Sequence, residues 1–267
     1  MKTYVSMFRI RFLNGLQYRT AALAGIVTQY AWGFMEVLAF IVFYQVNSAG
    51  FPMTLSQTVT YIWLRQSFLS LFAIWLFESD IFSAITDGGI AYELARPVNL
   101  YAGWFCRSIA NRVSKMTLRC FPILIVALIL PAPLRMSPPV DATHFILFLI
   151  SMLLGAGVVI SLSLLIYVST FYTLSSVGVR IVMSVAADFL SGGILPLPFF
   201  PDSVQNIVKL LPFAAMQDIP LRIYSGNIAN QKALLGILLQ GFWLFTLCFV
   251  GFHFMQKALQ KVVIQRG

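Results

Sequence analysis

Long apolar runs, broken by short polar or proline- and glycine-rich punctuation, dominate this chain. They extend from about Ala21 to Val46, Thr58 to Phe77, Met116 to Leu134, Phe145 to Val168, Ile181 to Phe199 and Ala233 to Met255. A helix needs about 20 mostly apolar residues to cross a hydrocarbon core, where the backbone finds no partners but its own. The pattern therefore predicts an all-α, polytopic integral membrane protein with six transmembrane helices, a single domain over residues 1–267. An even number of crossings puts both termini on one side.

Three flanking segments add detail. Val5, Phe8, Phe12 and Leu16 recur at steps of three and four beside Arg9 and Arg11, which predicts an interfacial helix over 1–20 at the headgroup level. Residues 78–115 form the longest and most charged connection; Gly88 and Gly89 break it, Pro97 follows Arg96, and short helical stretches flank the glycines. That pattern predicts an ordered docking element. Ile194 to Phe213 holds too many prolines for one helix and too many apolar residues for an ordinary loop. A re-entrant extracytoplasmic segment over 200–230 is expected, since irregular backbone at membrane depth must be buried in protein or line a cavity. Pro196, Pro198, Phe199, Phe200, Pro201, Pro212 and Phe213 are its candidate gate residues.

Composition narrows the class. At 59% hydrophobic and 10% charged residues, the chain lies far from the roughly 25% charged share of soluble domains. Its net charge of +9 is accounted for by orientation: thirteen of the eighteen Lys and Arg fall on the side of the termini, four on the other, and Arg65 within a run. By the positive-inside rule both termini are cytoplasmic. No basic stripe is interleaved with stacking aromatics, so nucleic acid is not an expected partner. Cys106, Cys120, Cys248, His144 and His253 lack metal-ligand spacing, and no uninterrupted apolar stretch early in the chain reads as a cleaved signal. Trp32, Trp63, Trp104 and Trp243 are candidate interface anchors at helix ends.

Three ionisable residues, Glu36, Arg65 and Asp188, fall within the apolar runs, where a charge costs a few kcal/mol or more unless paired or facing water. Counting about 1.5 Å per residue from the outer ends of their runs places Glu36 and Arg65 at similar depth, which predicts an ion pair that either sets helix register or takes part in conformational switching. Asp188 has no evident partner and is expected to face a subunit interface or a watery route, or to be protonated. The same three groups would serve an ion or proton site in a secondary transporter or channel. An intramembrane enzyme would need catalytic groups converging at one depth, and the sequence offers none.

Six runs, a basic interfacial helix, a long connection after the second run and a proline-broken segment after the fifth resemble the type-2 ATP-binding-cassette exporter permeases. Glu93-Leu-Ala-Arg96-Pro97-Val-Asn99 looks like the Leu-x-Arg-Pro element that follows the coupling helix in that family. Ile194 to Pro201, closing at Leu211-Pro212-Phe213, looks like its outer segment. The resemblance implies a non-catalytic half-transporter in a bacterial plasma (inner) membrane, pairing with a second permease, identical or different, and docking on separate cassette ATPase subunits. Asp87, Gly88, Glu93, Leu94, Arg96 and Pro97 would then couple to the ATPase, with Asp87, Glu93 and Arg96 making polar contacts and Leu94 and Pro97 packing. No cofactor belongs to this chain; ATP and Mg would be bound by the partner. Leu190-Ser-Gly-Gly-Ile194 resembles an ATPase signature. It sits in an apolar run, and the chain has no phosphate-cradling Gly-x-x-x-x-Gly-Lys-[Ser/Thr] loop, so it reads as a packing or breaking element.

Overall fold

A computed structural model describes residues 2–46, 50–173 and 176–264, and among them the fold is all-helical. Helix α1 (Lys2–Gly15) leads through a turn into α2 (Arg19–Val46), and α3 (Leu55–Ser67) and α4 (Leu69–Phe72) follow. Two short helices, α5 (Ser79–Thr86) and α6 (Ile90–Leu94), precede the long α7 (Leu100–Ile129) and α8 (Ala142–Ser169). Beyond α9 (Ser176–Leu190) come a 3-10 turn at Leu197–Phe199, α10 (Asp202–Val208), α11 (Asp218–Tyr224) and α12 (Asn230–Ile264).

Local chemistry starts the helices where they begin. Thr54 and Gln57 form a reciprocal capping box at α3, and the side chains of Asn99 and Asp141 cap α7 and α8. Each satisfies backbone N–H groups that the first turn leaves unpaired. The turn over residues 16–18 lets α1 and α2 follow α7 in turn: the Tyr4 hydroxyl accepts from the Asn99 N–H at 3.1 Å, Gly15 meets Ser114, and the Tyr30 hydroxyl donates to the Pro122 carbonyl at 2.6 Å. Helix α3 returns antiparallel to α2, with Gln29 reaching the Gln66 carbonyl at 2.8 Å and Tyr44 meeting Thr58 at 3.0 Å.

The core centres on α8, buried without interruption from Gly155 to Leu164. Helix α12 runs parallel to it, joined by Ser151 to Gln240 at 2.7 Å and Ser161 to Cys248 at 3.1 Å. At Gly155 the backbone carbonyl of Met216 sits where a Cβ would point, so only glycine admits that approach.

By length and composition α2, α8 and α12, the last counted from Asn230 to Gln260, are long and apolar enough to cross a membrane. The other three expected crossings differ from the sequence pattern. The run from Thr58 to Phe77 is two helices joined at Phe68 and ending at Phe72. Helix α7 begins at Leu100, not near Met116, so the last part of the 78–115 connection is helical; Arg107, Arg112 and Lys115 made that stretch look like a loop. The run from Ile181 to Phe199 stops as a helix at Leu190, because Gly192 takes a φ of 79° and turns the chain. The signature-like Leu190 to Ile194 is thus the turn that ends α9.

Two smaller expectations also change. On α1, Val5 is exposed while Tyr4 and Met7 are half-buried beside Phe8 and Phe12, so the inward stripe is offset from the expected one. Trp63 and Trp104 are buried core residues, donating to the Leu134 carbonyl at 2.8 Å and to Glu93 at 2.6 Å, and are not interface anchors. Trp32 is exposed.

Candidate functional site

Polar side chains gather in two layers, one at each end of the bundle. At the end carrying α5 and α6, apolar anchoring fixes the short helices: Ile81 and Phe82 of α5 and Ile90 of α6 are buried, and Gly88, at a φ of 77°, makes the turn between them. Phe77 and Phe82 pack on Tyr167 of α8, and the Arg180 guanidinium lies 4.7 Å from the Phe82 ring centre, an arrangement that favours a cation over the ring face.

One arginine ties this element to α7. The Arg107 guanidinium, almost wholly buried, binds Glu78 through Nε, Asp80 through Nη2 at 2.8 Å, and approaches Glu93 through Nη1 at 3.7 Å. Ser108 donates to the second oxygen of Glu78 at 3.0 Å, the Glu78 N–H donates to the Tyr167 hydroxyl at 2.8 Å, and the Trp104 indole N–H donates to Glu93 at 2.6 Å. A buried guanidinium serves such a site because its planar fork can engage several acceptors at once. One turn further along α7, Arg112 donates to the carbonyls of Leu71 and Ala73, at 3.2 and 2.7 Å, where the helical backbone ends at α4. Those carbonyls have no partner within the helix.

This clasp sorts the sequence candidates. Asp87, Arg96 and Pro97 are exposed, as is Leu94 at 40%, and Gly88 is the turn. Together with Tyr92, 81% exposed, they form a knob at the surface. Glu93 faces inward and holds the knob from beneath, whereas the sequence reading had it facing a partner. Glu78, Asp80, Trp104 and Arg107 were missed. The only signal for them was the dense charge at the start of a helix that otherwise reads as apolar.

The opposite layer joins the proline-rich segment to α2 and α3. Arg65, buried on α3, binds Glu36 of α2 and donates to the Gly193 carbonyl in the turn after α9. Asp188 is half-buried one turn earlier, and among the described residues its carboxylate makes no ion pair. Next to it, Asp218 of α11 is 1% exposed and fully engaged. It accepts from the Tyr61 hydroxyl at 3.3 Å and the Leu197 N–H at 3.2 Å, and pairs with Arg222 at 3.1 Å. Tyr61 also donates to the Gly192 carbonyl at 3.1 Å, and Gln217 to Ser191 at 2.9 Å. The Asp218–Arg222 spacing of four in a short helix was the available signal, hidden by the expectation of an irregular segment.

The candidate gate residues divide. Pro196 and Pro198 are buried, Phe199 packs against Phe40 and Phe51 with ring centres 5.3 and 5.7 Å away, and Phe200 packs on Phe189 at 5.1 Å. Pro201 is exposed at the start of α10, whereas Pro212 and Phe213 are half-buried where the chain turns back into the core. The segment is a hairpin with an exposed tip at α10 and a buried return from Ala214 to Tyr224.

A family model described as ABC-2 family transporter protein matches residues 30–265. No curated protein matches the chain.

Proposed function

The chain belongs to the ABC-2 family of transporter proteins, a multi-pass membrane permease subunit, and from that premise we propose that it forms half of the pathway of an ATP-driven exporter. The knob over Asp87 to Pro97 docks on a separate cassette ATPase, which binds ATP and Mg, and a second permease completes the route. Six crossings, α2, α3 with α4, α7, α8, α9 and α12, carry the chain through the plasma membrane of a bacterium with both termini in the cytoplasm. Helix α1 lies at the headgroup level, and the hairpin from Pro196 to Tyr224 re-enters from the outer face.

The observation that carries the coupling role is the exposed knob seated on a buried clasp: Tyr92, Leu94, Arg96 and Pro97 point outward while Arg107 holds Glu78, Asp80 and Glu93 beneath them. Pairing of Glu36 with Arg65 favours a register role for those charges over an ion site, so the secondary-transporter reading gains no support from the geometry. The test is purification of the tagged chain from native membranes in mild detergent. Recovery of a cassette ATPase, with association lost in Tyr92→Ala plus Arg96→Glu while the permease stays monodisperse, is expected. Transport driven by an ion gradient in a preparation free of any ATPase sinks the proposal.

A further inference from the structure

A cavity of about 550 Å³ opens between the end of α1, the start of α2, α7 and residues 77–80. Its lining carries charge of both signs: Arg11 comes from α1, Lys115 and Arg119 from α7, and Glu78 and Asp80 from the start of α5, which is bonded to α7 through Arg107. Arg11 and Lys115 form no ion pair among the described residues, and Arg119 merely reaches the Ala21 carbonyl at 3.5 Å. The carboxylates are only partly committed: Arg107 binds Glu78 and one oxygen of Asp80, whose side chain remains 69% exposed. Three residues along α7 from the cavity-lining Leu118, Phe121 is an exposed apolar position at 59%.

We propose that this cavity binds the headgroup of a membrane phospholipid that carries both a phosphate and an amine, a phosphoethanolamine lipid, as a resident structural ligand. Arg11, Lys115 and Arg119 hold the phosphate, the free side of Asp80 takes the ammonium, and an acyl chain lies along Phe121. Charge-assisted hydrogen bonds supply the recognition. A purely anionic headgroup would leave Asp80 facing a negative ligand, and a free phosphate would leave Asp80 without a cation. Such a lipid would bridge α1 to α7 and brace the segment from which Glu78 and Asp80 reach Arg107. The site rests on the proposed placement of this end at the headgroup level of the membrane; labelling of an Asp87→Cys variant from one side of sealed vesicles tests that placement separately.

The experiment uses the full chain, stripped of lipid in detergent, with thermal unfolding and native mass spectrometry as readouts. Phosphatidylethanolamine, phosphatidylglycerol, soluble phosphoethanolamine and inorganic phosphate are added in turn. Phosphatidylethanolamine is expected to be retained and to raise the melting temperature most. Lys115→Gln with Arg119→Gln should weaken its binding by about tenfold, the scale of losing one charged hydrogen bond. Arg11→Gln, on an exposed helix face, gives the same direction without touching α7, and Asp80→Asn should erase the preference for the ethanolamine lipid over the glycerol lipid. Equal retention by wild type and all three variants overturns the proposal. So does a full shift from inorganic phosphate or soluble phosphoethanolamine alone, or an Asp80→Asn chain with the wild-type lipid preference.

Discussion

The Tyr61 hydroxyl and the Asp218 carboxylate, 157 residues apart in sequence, meet at 3.3 Å in the buried interior. Around that contact α3, the turn after α9 and α11 become one unit, because Asp218 also holds the Leu197 N–H and Arg222.

Removing the carboxylate should therefore cost more than removing the phenol oxygen. Asp218→Ala strands a buried N–H, a hydroxyl and much of a guanidinium, a loss of about 3–5 kcal/mol by the scale of broken buried pairs. Tyr61→Phe deletes one donor and should cost about 0.5–1.5 kcal/mol. Thermal unfolding of the detergent-solubilised variants orders the two; a Tyr61→Phe loss equal to that of Asp218→Ala contradicts the hub role of the carboxylate.

The charge pair of α2 and α3 predicts an incomplete rescue. In Glu36→Arg with Arg65→Glu the pair can re-form, but Arg65 also serves the Gly193 carbonyl, which a glutamate cannot do. A double-mutant cycle should show coupling, with the double variant still less stable than wild type by about 1–3 kcal/mol. No coupling would mean that the pair does not contribute.

How far the sequence reaches is visible in these two cases. The Glu36–Arg65 pair was legible, since two opposite charges in neighbouring apolar runs at one depth have few alternatives. Asp218 and Arg107 were not, because their partners come from elements whose helical ends the hydrophobic pattern misplaced. Helix α7 shows why: arginines that satisfy carboxylates and carbonyls inside the protein look, in sequence, the same as arginines in a solvated loop. The long apolar helices α2, α8 and α12 were read closely because their apolar runs are long and their few polar contacts do not interrupt them.

Arg107→Lys tests the clasp more finely than alanine does. A lysine offers one compact ammonium where the guanidinium sends separate nitrogens to Glu78, Asp80 and Glu93. The variant should keep its fold while loosening α5 and α6. Protease cleavage near Gly88 is expected to rise several-fold over wild type, and unchanged cleavage would show that the knob is held by Ile81, Phe82 and Ile90 alone.

Acid should expose the α8 cap. The backbone N–H of His144, then its ring, donates to Asp141 and holds that carboxyl below its ordinary value of 3.8. A depressed carboxylate contributes stability that is present above its unfolded value and is lost as pH falls through the lower folded one. The melting temperature of wild type relative to Asp141→Asn, which still caps but cannot ionise, should therefore fall as pH drops below about 4. A difference that stays flat through that window would rule the cap out as a titrating contact.

Pro122 lies inside α7, between its charged and apolar parts. Lacking an N–H, it leaves the Leu118 carbonyl without its usual rung, and the Tyr30 hydroxyl bonds the carbonyl of Pro122 itself from α2. From Arg107 to that point is 15 residues, about 22 Å of helix, and a swing of about 10° there would carry the clasp roughly 4 Å. Any bend that the missing rung permits would thus move the clasp end of α7, together with the α4 carbonyls that Arg112 holds, relative to the end where Ile123 and Ala127 are buried in the core.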